Sequence, residues 1–309
     1  MAATKPISRL KVLQGVLSQT RDVICGSYGL NKEEAFNNTQ AFIEENSERW
    51  RLPEPNINYH DPFCRMAYLY MNVAVHATLV EKALSSYPAF KKLIEERVKT
   101  SSELHICALG GGPGSELIGT VRYIQRLNLK GETAHLDFAL IDRISEWDES
   151  WHALKNGVDS QLRGEYGKDR GKWPVSVSRS FLPLDATQAS EFKNFATRFS
   201  DTDIFFLCYL VSELKGSINK LEQVINSLVK KASPNALILF IDRDERIVRE
   251  NVQRIINQNP HLIEVKTVRE KGGLEDNLEE LGEWYINLPT LPRRKWMAFF
   301  TLAQIKAVR

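Results

Sequence analysis

Ala108-Leu109-Gly110-Gly111-Gly112-Pro113-Gly114-Ser115 is the stretch that decides the fold of this 309-residue chain. An apolar run, His105–Leu109, precedes the glycines and predicts a buried strand. An amphipathic pattern, Ser115–Leu127, follows them and predicts a helix. Glycine has no Cβ, so the backbone between this strand and this helix can pass very close to a ligand. The arrangement is typical of a nucleotide-type site; the alternative is a tight strand-to-helix connection without a ligand.

The glycine spacing excludes two common phosphate-binding motifs. Dinucleotide-binding loops require G-x-G-x-x-G, and P-loops require G-x-x-x-x-G-K-[ST]. Counted from Gly110, the last glycine of a dinucleotide motif would fall on Ser115, and counted from Gly112 it would fall on Leu117. No lysine follows inside the loop. The spacing that fits is G-x-G-x-G, at Gly110, Gly112 and Gly114.

Beyond Ser101, short apolar runs alternate with helical segments, which is typical of βαβ units and a mainly parallel sheet. Five runs are separated by helical segments, whereas the last two follow one another without a convincing helix between them. From about Ile7 to Val98, apolar residues recur at helical spacing instead. We therefore predict an α/β protein with an N-terminal helical region. The predicted strands are His105–Leu109, Phe138–Ile141, Val175–Leu182, Ile204–Tyr209, Ala236–Ile241, Leu262–Arg269 and Trp296–Ala303.

Together, the G-x-G-x-G loop and this element order resemble the class I S-adenosylmethionine (SAM)-dependent methyltransferases, over about Leu104 to Leu302. The resemblance implies a seven-stranded, mostly parallel sheet with helices on both faces and an antiparallel last strand. It also implies SAM as the cofactor and methyl transfer as the activity. One position departs from the family: two residues before the first glycine, where an acidic residue is usual, this chain has Ala108. One contact to the methionine amino group of the cofactor would therefore be missing.

Acidic residues follow the next two predicted strands. Asp142 ends the second strand, where a carboxylate at the carboxyl edge of the sheet can accept hydrogen bonds from both ribose hydroxyls; an exposed loop aspartate is the alternative. By resemblance, Asp185 after the third strand accepts the adenine amino group, and the backbone amide of Ala186 meets the ring. Cys208 and Tyr209, at the end of the fourth strand, line the cofactor by the same resemblance, although buried thiols and aromatic rings are more often core residues. The glycines assigned to the cofactor are Gly110, Gly111, Gly112 and Gly114.

The N-terminal pattern divides the chain into a helical cap or substrate region, residues 1–100, and a SAM-binding domain, residues 101–309. Three prolines interrupt the helical pattern at Leu52–Pro62, because proline disfavours helix. The stretch Tyr59–Tyr70 then concentrates ring hydroxyls, an imidazole and an arginine. This composition suits a lid over the cofactor, and aromatic core packing is the alternative. The candidate catalytic residues are His60, Tyr70 and Tyr209.

Charge and cysteine content bound the partners and the compartment. Lys and Arg number 41 against 39 Asp and Glu, so no overall field attracts nucleic acid or anionic membrane. Local basic patches occur at Arg293-Arg294-Lys295 and in Lys155–Pro174, a polar segment predicted to be a solvated insertion. Both offer contacts to RNA phosphates; a solvated face is the more common alternative. The six histidines are dispersed, and no metal-ligand constellation is evident. Four cysteines without CxxC pairs predict free thiols in a reducing compartment, and no run approaches the ~18 apolar residues of a membrane span. We expect a cytoplasmic or nuclear protein.

Three functions are compatible with these features. The leading one is a SAM-dependent methyltransferase that acts on an unidentified acceptor, a small molecule or a protein side chain, under the N-terminal helical cap. The second is an RNA methyltransferase that uses the two basic patches. The third, suggested by Ala108, is a non-catalytic binding protein with the same fold. The fold alone does not name the acceptor, because phenols, carboxylates, amines and ring nitrogens need different degrees of proton removal.

Overall fold

The computed structural model describes residues 6–49, 57–100, 102–127, 129 and 131–306 of the chain. About half of the proline-rich interruption predicted at Leu52–Pro62 lies outside these residues. Seven strands are found in the described part of the chain. They are β1 Leu104–Leu109, β2 Ala134–Ile141, β3 Val175–Leu182, β4 Ile204–Cys208, β5 Leu237–Arg243, β6 Leu262–Gly273 and β7 Lys295–Ile305.

The strands form one sheet in the order β3-β2-β1-β4-β5-β7-β6. Neighbouring strands from β3 to β5 are parallel, and β7 runs antiparallel to both β5 and β6. All residues of β4, and all but one of β1, are buried, which explains their nearly continuous apolar sequence. The predicted α/β class, the seven strands and the antiparallel last strand are confirmed.

Eleven helices accompany the sheet in the same described ranges. Four of them, α1 to α4, precede the first strand. Between the last two strands, where the sequence shows no convincing helix, the structure has a 3-10 turn, Leu278–Leu281, and a short helix of five residues. The helices are α1 Arg9–Tyr28, α2 Lys32–Arg49, α3 Pro62–Ser85, α4 Pro88–Lys99, α5 Ser115–Leu127, α6 Trp147–Tyr166, α7 Ala196–Ser200, α8 Leu210–Glu213, α9 Ile218–Val229, α10 Arg246–Gln258 and α11 Glu283–Asn287.

The N-terminal region is helical, as predicted, but it is divided into more helices than the proline-rich interruption indicates. Gly29, with φ 65°, ends α1 in the left-handed region that glycine tolerates best. Ser86 ends α3, and α4 starts one residue after Tyr87. The start of α3 follows from local chemistry, because the Asp61 carboxylate accepts hydrogen bonds from two backbone N–H groups of the first turn, and Pro62 occupies the first helical position.

One face of the sheet is covered by α1, α3, α5 and α6, whose buried side chains form a continuous hydrophobic cluster with those of the sheet. Glycines allow the closest contacts between these helices. A Cβ on Gly119 of α5 would lie 2.6 Å from the Ala77 carbonyl oxygen of α3, and one on Gly157 of α6 would lie 3.2 Å from the Val12 Cγ1 of α1. The N-terminal helices are therefore packed into the main core, and their position brings residues of α3 to the carboxyl edge of the sheet.

The opposite face is covered mainly by α9 and α10. The apolar residues of these helices recur at helical spacing and are buried against the sheet in a second cluster. Such two-sided cover leaves only the strand ends and their loops accessible to a ligand. Across the described ranges, no helix combines the length and the apolar character that a membrane crossing requires.

The segment Lys155–Pro174 differs from the predicted solvated insertion. Its first part continues α6 to Tyr166, with Val158 and Leu162 buried. Its remaining part is anchored by Trp173, which is 2% exposed and donates a hydrogen bond from Nε1 to the Gly167 carbonyl, 2.9 Å away. The prediction was wrong because the polar residues and glycines obscured an apolar helical stripe that begins earlier, at Trp147.

Candidate cofactor and acceptor site

A cleft opens at the carboxyl edge of the sheet, above the ends of β1, β2 and β3. The loop after β1, which we call the glycine loop (residues 110–114), forms its floor. Turns after β2 and β3, the helix after β4 and a segment that leads into α3 form the walls. The residues that line the cleft are Ile57, Tyr59, Tyr68, Gly110, Gly112, Asp142, Arg143, Ile144, Trp147, Leu184, Asp185, Ala186, Leu210, Glu213 and Leu214.

The glycine loop fits a closely approaching ligand at two positions. Gly110 and Gly112 line the cleft and have φ values of 62° and 49°, in the left-handed region. A Cβ on Gly112 would contact only the Trp147 ring, at 3.8 Å, so this face of the loop is open. Packing also requires glycine at Gly110, Gly111 and Gly114, because Cβ atoms there would collide with the side chains of Leu210, Leu140 and Trp151.

Asp142 connects the glycine loop to the end of β2. Its carboxylate accepts hydrogen bonds from the backbone N–H of Gly112 and of Ile144, each at 3.0 Å. Burial raises the pKa of Asp142, and these two hydrogen bonds oppose the rise. The predicted carboxylate is thus held at the cleft by the backbone of two separate turns.

Asp185 and Ala186 lie on the opposite side of the cleft, after β3. The Asp185 carboxylate accepts hydrogen bonds from the N–H and the hydroxyl of Thr187, both at 2.8 Å. Its own backbone N–H donates to Glu191, at 2.8 Å. Ala186 is buried and contributes an apolar surface. The structure therefore brings the predicted residues Gly110, Gly112, Asp142, Asp185 and Ala186 into one cleft.

Cys208 and Tyr209 lie behind this lining. The Cys208 thiol is buried, and burial together with the nearby Glu116 carboxyl raises the pKa of the thiol. Tyr209 has a φ of 59°, which is unusual for a non-glycine residue. Its ring stacks on His76 of α3, with ring centroids 4.4 Å apart.

Two carboxyl groups that the sequence analysis missed lie at or beside the site, near Asp142. Glu116, in the first turn of α5, is 1% exposed, and burial raises its pKa to about 7. Glu213 faces the cleft, where desolvation and the nearby Asp142 and Asp242 raise its pKa to about 7. Neither forms a salt bridge with a Lys or Arg of the described chain. The position of Glu116, two residues after the last glycine, was the available sequence signal.

Aromatic rings from the N-terminal region and α6 form what we call the aromatic wall (Tyr59, Tyr68 and Trp147). Each pair of these rings has centroids 5.5 to 5.6 Å apart. The guanidinium of Arg65 fixes the approach to this wall by donating hydrogen bonds to the Tyr59 and His60 carbonyls, both at 2.9 Å. Two tyrosines of the predicted stretch Tyr59–Tyr70, Tyr59 and Tyr68, therefore line the cleft.

A protein-family model described as "Putative SAM-dependent methyltransferase" matches residues 26–254, a range that includes the glycine loop and both aspartates. The chain belongs to this family. The methyl donor of this methyltransferase is accordingly SAM. No curated protein sequence matches the chain.

Three solved methyltransferase structures are similar to this methyltransferase at low identity. The mitomycin 7-O-methyltransferase MmcR is 12% identical, with a TM-score of 0.45, over 85% of this chain and 66% of MmcR. The CurJ carbon methyltransferase is 13% identical, with a TM-score of 0.43, over 94% of this chain and 71% of CurJ. The N-methyltransferase NodS from Bradyrhizobium japonicum WM9, in complex with S-adenosyl-l-homocysteine (SAH), is 12% identical, with a TM-score of 0.38, over 85% of this chain and 98% of NodS.

Two candidate catalytic residues of the methyltransferase lie away from the cleft lining. Tyr70 is fully buried in the core, its hydroxyl has no hydrogen-bond partner among the described residues, and burial raises its pKa. His60 is exposed, and its Nδ1 lies 2.8 Å from a carboxylate oxygen of Glu146. Tyr70 faces the core because α3 turns Tyr68, two residues earlier, toward the cleft instead. His60 precedes α3, and its ring pairs with Glu146.

The structure also gathers residues at the other end of the sheet that the sequence analysis did not connect. Ligand atoms of Glu103, His105 and Asp137 lie within 4.8 Å of one another. Asp137 is already engaged, because it forms a salt bridge with Arg198 and a hydrogen bond of 3.0 Å with His105 Nδ1. This group is therefore an ion-pair network at the amino ends of β1 and β2, far from the cleft at the carboxyl edge.

Proposed function

We propose that the protein transfers the methyl group of SAM to an acceptor that is a small molecule or a protein side chain, seated under the N-terminal helices. One observation carries this proposal: Tyr59 and Tyr68 of the N-terminal region line the same cleft as Gly110, Asp142 and Asp185. Residues 1–100 then act as the cap of the acceptor site. A cap excludes water, which strengthens the electrostatic interactions within the cleft.

The cleft residues fit SAM in both shape and charge. The open face of Gly112 lets backbone approach the ligand, the Asp142 carboxylate receives the ribose hydroxyls, and Asp185 with the Ala186 amide receives the adenine. Glu116 binds the methionine ammonium group, which replaces the contact that the family's usual acidic residue at position 108 would make. SAM carries a sulfonium and an ammonium group, and the carboxyls of Glu116 and Glu213 lack salt-bridge partners within the described residues. A cation fits such surroundings.

Methyl transfer from SAM requires little covalent chemistry from the protein itself. Bound SAM supplies an electrophilic methyl group on sulfur. The protein has to hold the acceptor atom at near-attack distance and keep water out. The aromatic wall and the half-buried ring of Tyr209 would serve this orientation and exclusion, and we place Tyr209 on the acceptor side of the site.

Isothermal titration calorimetry with SAM tests the cofactor part of the proposal. The wild-type protein should bind SAM. Asp142→Ala should weaken SAM binding by about 10- to 100-fold, because the ribose hydroxyls lose their hydrogen bonds to an ionised carboxylate. Asp201→Ala, at an exposed aspartate, is the matched control and should bind like the wild type. Absence of any heat at millimolar SAM would favour the non-catalytic alternative.

A transfer assay with radiolabelled SAM tests the acceptor part. Cell extract is divided into small-molecule, protein and RNA fractions, and label incorporation is followed in each. The proposal expects incorporation into the small-molecule or the protein fraction, and expects Asp142→Ala to abolish it. Label in the RNA fraction, with binding that weakens steeply as salt rises, would favour the RNA alternative instead.

A further inference from the structure

A second cluster of side chains lies beside the cleft, at the ends of β4 and β5. His76 from α3 stacks on Tyr209 with an interplanar angle of 18°, and it contacts Tyr68 edge-on at 6.1 Å. The His76 side chain is more than nine-tenths buried, yet its ring nitrogens form no hydrogen bond within the described chain. A ligand that reaches a ring nitrogen of His76 can therefore form a hydrogen bond there without displacing a protein partner.

Tyr209 is held in position by its backbone. Its φ of 59° is in the left-handed region, where a non-glycine residue is strained. Its N–H donates to the Ile241 carbonyl at 2.7 Å, which fixes the chain at the end of β4. Such strain is most often retained at functional sites, and here it sets the ring against His76.

The charges of two arginines act on both His76 and Tyr209. Arg243 ends β5, and the Arg293 N–H donates to the Met71 carbonyl at 3.1 Å, so the segment before β7 is attached to α3. Within the described chain, the Arg243 guanidinium forms no salt bridge and no hydrogen bond. Desolvation, and after it the charges of Arg293 and Arg243, lowers the pKa of His76 to about 3. Desolvation, and after it repulsion from Arg243, also lowers the pKa of Arg293. An anion between them would remove this repulsion.

The location of this cluster matches the acceptor half of the site. The glycine loop, Asp142 and Asp185 follow β1, β2 and β3, so they occupy one half of the carboxyl edge. His76, Tyr209 and the arginines occupy the half above β4 and β5, and Tyr68 contacts both halves. The methyl acceptor must approach from the half that the cofactor leaves open.

We propose that His76, Tyr209, Arg243 and Arg293 form the acceptor subsite, which binds an oxyanion group of the acceptor, a carboxylate or a phosphate. This inference rests on the proposed function. Guanidinium groups recognise both oxyanions through paired hydrogen bonds. The neutral imidazole of His76 adds one hydrogen bond to the bound acceptor, and the Tyr209 ring supports it by stacking.

Nuclear magnetic resonance of the histidine rings tests the subsite without knowledge of the acceptor. The full-length protein, saturated with SAH, is titrated with inorganic phosphate and separately with acetate at constant ionic strength. We expect the His76 signals to shift saturably with at least one anion. Arg243→Gln should weaken this binding by about tenfold or more. Arg246→Gln is the matched control, because Arg246 is an arginine near the same strand end with an 85% exposed side chain, and it should bind like the wild type.

The outcomes separate the subsite from the cofactor site. Saturable shifts with phosphate only, or with acetate only, identify the class of acceptor anion. Unshifted His76 signals with both anions, in protein that binds SAH, would overturn the subsite and leave the proposed function intact. Failure to bind SAH would contradict the proposed function itself. Should Arg243→Gln not fold, Arg243→Lys retains the charge and should weaken anion binding less than tenfold; binding equal to wild type in every folded Arg243 and Arg293 variant would also overturn the subsite.

Discussion

Substitution of the buried acid beside the glycine loop, Glu116→Gln, should move stability and cofactor affinity in opposite directions. Burial raises the pKa of Glu116 from 4.5 to about 7. Between these pH values the unfolded chain loses this proton first, so the free energy of unfolding falls as the pH rises through this window. A pKa difference of one between the folded and the unfolded state corresponds to about 1.4 kcal/mol. At pH 8 the raised pKa of Glu116 therefore lowers the free energy of unfolding by about 3 kcal/mol. Glutamine, which does not ionise, removes this loss.

The cofactor responds in the opposite sense. If the ionised Glu116 binds the methionine ammonium, glutamine loses a charge-assisted hydrogen bond of about 1.5 to 3 kcal/mol, which is about a 10- to 150-fold weaker SAM affinity. Wild-type affinity should also fall as the pH drops below 7, because the proton then competes with the ammonium group. Glu116→Gln should reduce this pH dependence.

The assay combines thermal unfolding without cofactor at pH 5 and pH 8 with SAM titration calorimetry at both values. We expect Glu116→Gln to melt several degrees above the wild type at pH 8 and by a smaller margin at pH 5. Glu132→Gln, at an exposed glutamate of the turn before β2, controls for loss of a carboxylate. Equal SAM affinity in Glu116→Gln and the wild type at pH 8 would refute the assigned role of Glu116.

Three further substitutions test the packing and the cleft. Gly119→Ala should lower the unfolding free energy by about 1 to 3 kcal/mol, because its Cβ would lie 2.6 Å from the Ala77 carbonyl oxygen; an unchanged melting temperature would contradict the α3–α5 contact. Tyr87→Phe should lose about 1 kcal/mol with the hydrogen bond that the hydroxyl donates to the Phe300 carbonyl at 2.7 Å, as chemical denaturation can measure. Gly112→Ala places a methyl group in the cleft at a positive φ, so SAM affinity should fall at least tenfold in calorimetry while the fold, monitored by circular dichroism, persists.

The sequence was most informative where local chemistry decides the structure. The strand–glycine–helix transition needs glycine at positive φ, so Gly110 and Gly112 could be identified from the sequence alone. Asp142 and Asp185 were also found, because carboxyl ends of parallel strands share one edge and an acidic residue after each strand is a local signal. The strand run Val175–Leu182 was predicted with the same bounds that the structure gives.

Contacts between distant segments could not be predicted. Nothing in the spacing of α3 shows that Tyr68 and His76 face the site while Tyr70 faces the core, because the choice depends on how α3 packs on α5 and the sheet. The predicted basic patch at residues 293–295 likewise separates in the structure: Arg293 approaches the tyrosines of the site, whereas Arg294 donates a hydrogen bond to the Leu274 carbonyl at 3.0 Å. Tertiary packing, which local patterns do not encode, determines both outcomes.

A crystal structure of the protein with bound SAH tests the central claim most directly. The account predicts the ribose hydroxyls within hydrogen-bond distance of the Asp142 carboxylate and the ligand's ammonium group beside Glu116. It also predicts that the sulfur points toward Tyr209 and the N-terminal helices. Ligand density outside the cleft formed by the glycine loop, or a ribose that contacts neither Asp142 nor the loop, would contradict it.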